Sequence, residues 1–115
     1  MVRPPTARSV NATADDANRL AVRSPAVLLS HVPAAESGSG DMRLTVNRET
    51  AAGTASLVFQ SGWSGRAELG LAGDDAFRLK VSADGAAWTA AMTVDPATGR
   101  LSLPAAGLRA DSAQL

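Results

Sequence analysis

The stretch SGWSGRAELGLAGDDAFRLKVSADGAAW, Ser61 to Trp88, decides the fold. Apolar residues recur at Ala67, Leu69 and Leu71, with Arg66 and Glu68 facing the other way, and again at Phe77, Leu79 and Val81, with Arg78 and Lys80 between them. Period two is the spacing of a half-buried strand, because successive side chains point to opposite faces. The Gly-rich corners SGWSG, AGDD and SADGA interrupt these runs where chain reversals belong. If Leu69 stands opposite Leu79 in an antiparallel hairpin, Ala67 meets Val81 and Glu68 meets Lys80. A slip of two residues sets Arg66 against Lys80 instead. The first register is expected, although an exposed ion pair contributes only about 0.2 to 1 kcal/mol and packing must do most of the selecting.

The same period extends outward. Met42, Leu44 and Val46 alternate with Arg43, Thr45 and Asn47; Leu57 and Phe59 repeat the pattern; Trp88, Ala90, Met92 and Val94 continue it on one face; Leu101 and Leu103 follow the DPATG turn. Upstream, NRLAVRSPAVLLSHV carries two short apolar runs, Leu20 to Val22 and Ala26 to Leu29, and Ser24-Pro25 between them argues for two strands rather than one helix. AAWTAAM also fits a helix, but turns flank it and its apolar set fits a strand. Roughly eight short strands with turn signals every 8 to 12 residues predict an all-β fold of short antiparallel strands, in a meander or sandwich-like domain. Residues 1–16, aperiodic and opening with RPP, read as a flexible arm or linker. Residues 17–104 are the β-rich domain, and residues 105–115 a tail or a linker to further segments.

The 115 residues suit one domain with one modest core. Eleven Lys and Arg balance eleven Asp and Glu, so no overall charge draws the chain to nucleic acid or to an anionic membrane. The absence of cysteine removes disulfides, thiolate chemistry and Cys-ligated metals. Residues 1–16 have neither the apolar core of a secretory signal nor the length to span a bilayer, and a soluble chain is expected. Alanine supplies much of the 45% hydrophobic content, whereas the aromatics are only Phe59, Trp63, Phe77 and Trp88. Such a thin set of large side chains is easier to stabilise when several chains share one interior.

Catalytic marks are sparse. His31 is the one histidine, and its neighbour Ser30 gives no triad geometry by adjacency alone, so a packed or interface histidine is the reading. Asp74, Asp75, Asp84 and Glu68 offer carboxylates for a glycosidase pair, but acids at turns are ordinary turn residues. AGDDAF and VSADGA lack the alternation of a calcium loop, GLAG and SGWSG lack the lysine of a phosphate loop, and no cofactor is implied. Trp63, inside SGWSG, is placed to offer a ring to a sugar or a neighbouring subunit; the plainer alternative folds that ring back to cap the sheet. Trp88 reads as core. Arg66, Glu68, Arg78 and Lys80 form a solvated row that blunts edge pairing and secondarily suits an anionic polysaccharide.

From about Asn11 to Leu108 the chain resembles the module found toward the C-terminal part of DUF2793-type tail-fibre-like proteins of tailed phages, prophages and gene transfer agents of alphaproteobacteria. The segment SLVFQSGWSGRAELGLAGDDAFRLKVSADGAAWTAAMTVDPATG carries it most specifically, with the Gly, Asp-Asp, Lys-Val-Ser and Asp-Gly positions in the family's order. The resemblance implies a non-enzymatic structural and host-attachment module of a virion tail or head appendage, a fibre or spike assembled as an intertwined homotrimer. Its partners would be copies of itself, other appendage proteins and a host cell-surface glycan, with no nucleic acid and no membrane insertion. In such a trimer the apolar strand faces supply a shared interior, with Leu20, Val22, Val27, Leu29 and His31 at the interface and Trp63, Arg66, Arg78 and Lys80 as surface contacts. The alternatives are a monomeric carbohydrate-binding β-sandwich and a capsid decoration or adaptor protein without a receptor role.

Overall fold

The computed structural model describes residues 6–105. It is mostly β, with seven strands and one short 3-10 turn among the described residues. The chain divides into two compact units, Met1–Leu44 and Thr45–Leu115. The boundary falls inside the stretch expected to form one β-rich domain.

The second unit holds an antiparallel meander in the order β3-β4-β5-β6-β7, formed by Thr54–Ser61, Ser64–Ala72, Phe77–Val81, Thr89–Val94 and Leu101–Ser102. Between β4 and β5 the register pairs Ala67 with Val81, Glu68 with Lys80 and Leu69 with Leu79, as the charge argument predicts. Cross-strand partners share a face, so the ladders sort the whole sheet. One row runs Ala55, Leu71, Phe77, Val94 and Leu101. The next runs Leu57, Leu69, Leu79 and Met92, and a third runs Phe59, Ala67, Val81 and Thr89. Thr89 is the only polar side chain in these three rows, and the Ser61–Ser64 pair closes the face at the hairpin end. The opposite face carries Ser56, Glu68, Lys80, Arg78, Thr93 and Ser102.

Two bulges bend this pattern. Gln60 pairs with Gly65 while Phe59 pairs with Ala67, which leaves Arg66 as an extra residue in β4. Leu79 pairs with Met92 while Lys80 pairs with Ala90, which leaves Ala91 extra in β6. The second bulge corrects the expectation that Trp88, Ala90, Met92 and Val94 share one face. Met92 and Val94 lie on the apolar side, but Ala90 stands beside Lys80 and Trp88 follows it to the polar side. There the indole covers Gly65, where a Cβ would lie 2.7 Å from the ring. Trp88 is therefore no core residue; it is 37% exposed.

In the first unit, Arg8–Val10 (β1) pairs in parallel with Leu20–Val22 (β2). The strand at Leu20 is as expected, whereas β1 lies in the segment read as an arm, and its parallel pairing departs from the antiparallel expectation. Parallel strands usually need a crossover of about a dozen or more residues. Residues 11–19 make this link by folding on Asp15, whose Oδ1 accepts the amides of Ala17 at 3.0 Å and Asn18 at 2.6 Å. The expected strands at residues 26–29 and 42–46 pair with nothing among the described residues, and only the 3-10 turn Ala34–Glu36 lies between them. The expected tail, apart from residue 105, and the first five residues of the expected arm lie outside the described residues.

No described residue is buried, polar or apolar. On the apolar sheet face Leu57 is 45% exposed, Phe59 55% and Leu101 59%. Arg48, at the entry to β3, is the most enclosed of the ion-paired side chains, 9% exposed. Its Nη1 lies 2.9 Å from the Ala51 carbonyl, 3.0 Å from Gly53 and 2.9 Å from Asp74, and its Nη2 donates to the Asp75 carboxylate at 2.5 Å. One guanidinium thus ties the approach to β3 to the β4–β5 turn. Replacing Arg48 by methionine strips these carbonyls of a shared donor and is expected to cost about 1 to 3 kcal/mol, read as a lower urea midpoint at unchanged slope. Arg48→Lys should recover only part of that loss, because a single ammonium cannot span the same acceptors.

Candidate functional site

Trp63 sits at the tip of the β3–β4 hairpin. Ser61 pairs with Ser64, so Gly62 and Trp63 form a two-residue loop, with φ of 53° and 68°. Two left-handed central residues define the type I′ turn, whose twist matches the flanking strands. The second position normally goes to glycine, and here it holds a tryptophan that is 91% exposed. The ring does not fold back on the sheet; it borders an open shelf with Gln60 and Gly62.

Two of the three cations in the row are paired with carboxylates. Arg78 holds Asp74 through both nitrogens, at 2.5 and 2.8 Å, and Lys80 lies 3.1 Å from Glu68. Glu68 also accepts the Ser56 hydroxyl at 2.6 Å, which bridges β3, β4 and β5 on the polar face. Arg66 alone of the three cations donates only to neutral groups, the Ser64 hydroxyl at 2.7 Å and the Gly65 carbonyl at 3.0 Å. It lies at the same end of the sheet as Trp63 and Trp88. Ser64 also donates to the Asp84 carbonyl at 3.3 Å, joining the β3–β4 and β5–β6 ends.

The acidic residues of the turns are structural in their contacts. Asp84 Oδ1 accepts the amides of Ala86 and Ala87 at 2.9 and 3.0 Å, and the Ser82 hydroxyl accepts the Gly85 amide at 2.8 Å and donates to the Ala87 carbonyl at 2.6 Å. Asp95 organises the last hairpin in the same way, accepting the Ala97 amide at 2.8 Å. The Arg78 guanidinium, aided by the Ala76 amide, holds the Asp74 carboxyl down at about 2, and Asp74 raises Arg78 in return. The Ser56 hydroxyl and then Lys80 lower Glu68, and the amides of Ala87 and Ala86 lower Asp84. A general acid at neutral pH needs its carboxyl raised, and these three move the other way.

The residues expected at a trimer interface lie in the first unit, all exposed: Leu20 70%, Val22 39%, Val27 63% and Leu29 56%. His31 is exposed as well, its Nδ1 3.1 Å from the Ser30 hydroxyl. Among the described residues no group of three His, Asp or Glu is placed to hold a metal ion, and no helix is long and apolar enough to cross a membrane. The residues that sequence reasoning missed are Arg48 and Gly65. Arg48 has no local pattern, since its carboxylate partner lies 27 positions away. Gly65 looked like one more turn glycine.

The chain matches no protein-family model, no curated protein and no solved structure.

The carboxylate contacts set an acid limit. A lowered carboxyl contributes stability above its unfolded value, and that contribution is lost as pH falls through the folded value. Stability should therefore hold at neutral pH, begin to decline below the ordinary Glu value of 4.5, and continue to fall from 3.8 to about 2 as Asp74 protonates. Denaturation midpoints across that range check the sign, and Asp74→Asn should flatten the lower end of the decline.

Proposed function

We propose that this chain is a structural, non-enzymatic module of a phage-like particle appendage, assembled as a homotrimer and offering a β surface to a cell-surface polysaccharide. The observation that carries the reading is that no described residue is buried although the sheet has one almost wholly apolar face. A small domain leans on partner chains when its own burial is insufficient. The resemblance to tail-fibre-like proteins supports three copies and a place on the virion. The turn chemistry fits with it: the Asp-Asp and Asp-Gly positions that carry the resemblance are the ones that build the β4–β5 and β5–β6 turns.

In the assembly the apolar sheet faces form the shared interior. They are better suited to it than the Leu20 to Leu29 segment, because Leu57, Leu69, Leu79 and Met92 stand in one paired row. Trp63 is the outward contact, and Arg66, at the same end of the sheet, is the cation of the row that has no acidic partner at hydrogen-bond distance among the described residues. Three copies held together convert weak ring-to-sugar contacts into useful avidity. A monomeric sandwich is the lesser reading, since a sandwich seals an interior between two sheets and no described residue is sealed.

The mass in solution tests this. The expected value is three times the 11.7 kDa of one chain, and a folded monomer at micromolar concentration overturns the reading. Leu69→Glu, which sets a charge in the middle of the apolar face, should shift the mass toward monomer. Trp63→Ala should keep the trimer mass and lose glycan binding at least tenfold on an array.

A further inference from the structure

Residues 42–47 alternate as a strand should, with Met42, Leu44 and Val46 on one side and Arg43, Thr45 and Asn47 on the other. In the structure they form no strand, and no described residue offers their backbone a hydrogen-bond partner. Met42, Leu44 and Val46 are 44%, 65% and 49% exposed. A segment with strand periodicity, apolar on one side and unpaired, is a strand without a sheet.

The β3–β7 sheet supplies the complementary vacancy. Its two edges are unequal. β7 is only two residues long, and Pro104 lies just beyond it, so that edge is short and blunted. β3 is eight residues, TASLVFQS, and it pairs on one side alone among the described residues. It carries no charge and no proline, the usual protections of a free edge. Such an edge invites another strand.

We propose that residues 42–47 are a donated strand, adding to the open β3 edge of a neighbouring copy of this chain. The proposal rests on the self-assembly reading above and names how the copies interlock. The chemistry of the two pieces agrees. Docked with its apolar side toward Leu57 and Phe59, the segment extends the apolar face by one strand and sets Arg43, Thr45 and Asn47 beside Ser56 on the polar face. Arg48 explains why the donation goes outward. Its guanidinium anchors the end of the segment to Asp74 and Asp75 in the β4–β5 turn, on the paired side of β3 rather than its free side. A second copy is the fitting occupant because every copy carries both the unprotected edge and the unpaired strand, in equal number.

Amide exchange on the full chain, run beside a mass measurement, tests this. In the assembled protein the amides within residues 42–47 should exchange at least a hundredfold more slowly than free chain. Thr45→Pro, which removes a donor from that ladder, should weaken assembly at least tenfold. The chain has no cysteine of its own, so mixing a Thr45→Cys variant with a Ser56→Cys or Val58→Cys variant should give mixed disulfide dimers on oxidation. A multimer whose 42–47 amides exchange freely, or which forms no such mixed disulfide with either partner, overturns donation and leaves self-assembly standing. A monomeric mass overturns both.

Discussion

Apolar burial is the term that offsets the entropy of ordering a chain, and here a single copy does not complete it. Fully burying a leucine or phenylalanine side chain is worth about 1.5 to 3 kcal/mol, while fixing the backbone of each residue costs about 1 to 2 kcal/mol. Leu57 and Phe59 remain 45% and 55% exposed, so they realise only part of that gain. Among the described residues the apolar face is thus the candidate for a core, and the rest of the second unit keeps it continuous and uncharged. A transient partner would find little to recognise there, since such interfaces carry about one hydrogen bond per 100 to 200 Å². In the proposed assembly such a surface would form an interface of the permanent kind, which resembles a domain core cut in half.

The polar face does the opposite task. Lys80, Glu68 and Ser56 span three adjacent strands, and Arg78 is clamped to Asp74 at the β4–β5 turn. Each of these partly exposed pairs is weak by itself. Their value is positional, because a slip of one residue would carry every charge onto the apolar face and every leucine off it. The turns act in the same sense. Side-chain oxygens of Ser82, Asp84 and Asp95 take up amides that the tight corners leave without backbone partners. Register and corners are therefore set within one copy.

Sequence periodicity is a good guide to the β4–β5 pair, whose strands meet without a bulge. Leu69 opposite Leu79, with Glu68 on Lys80, is readable because a two-residue slip has a visible penalty. Bulges defeat this reasoning: one extra residue at Ala91 reverses the faces of Ala90 and Trp88 without any mark in the composition. Arg48 was illegible for another reason, since its acceptors are mostly backbone carbonyls, which a sequence does not display. The strand patterns at residues 26–29 and 42–46 were legible as patterns, but period two reports that a segment suits a sheet and not which chain provides it. At the hairpin tip, the Gly and Ser residues around Trp63 signalled a tight corner; they did not reveal which way the ring would point.

That ring raises the last point. A non-glycine residue in the left-handed region costs roughly 1 to 2 kcal/mol, and glycine at the second loop position would avoid the cost while leaving the hairpin twist intact. Trp63 accepts that strain and gains almost no burial for it, at 91% exposed. Neither turn geometry nor packing among the described residues accounts for a tryptophan there. An indole held clear of the sheet by a turn of fixed shape meets a partner with little further loss of rotamer freedom, since two side-chain angles are all it must fix. With Arg66 at the same end of the sheet, the proposed surface offers a flat apolar ring and a cation, groups suited to the apolar face and anionic groups of an acidic sugar. In the proposed assembly the strain at the tip is thus balanced by contact outside the chain, as the exposed face of the sheet is balanced by contact between copies.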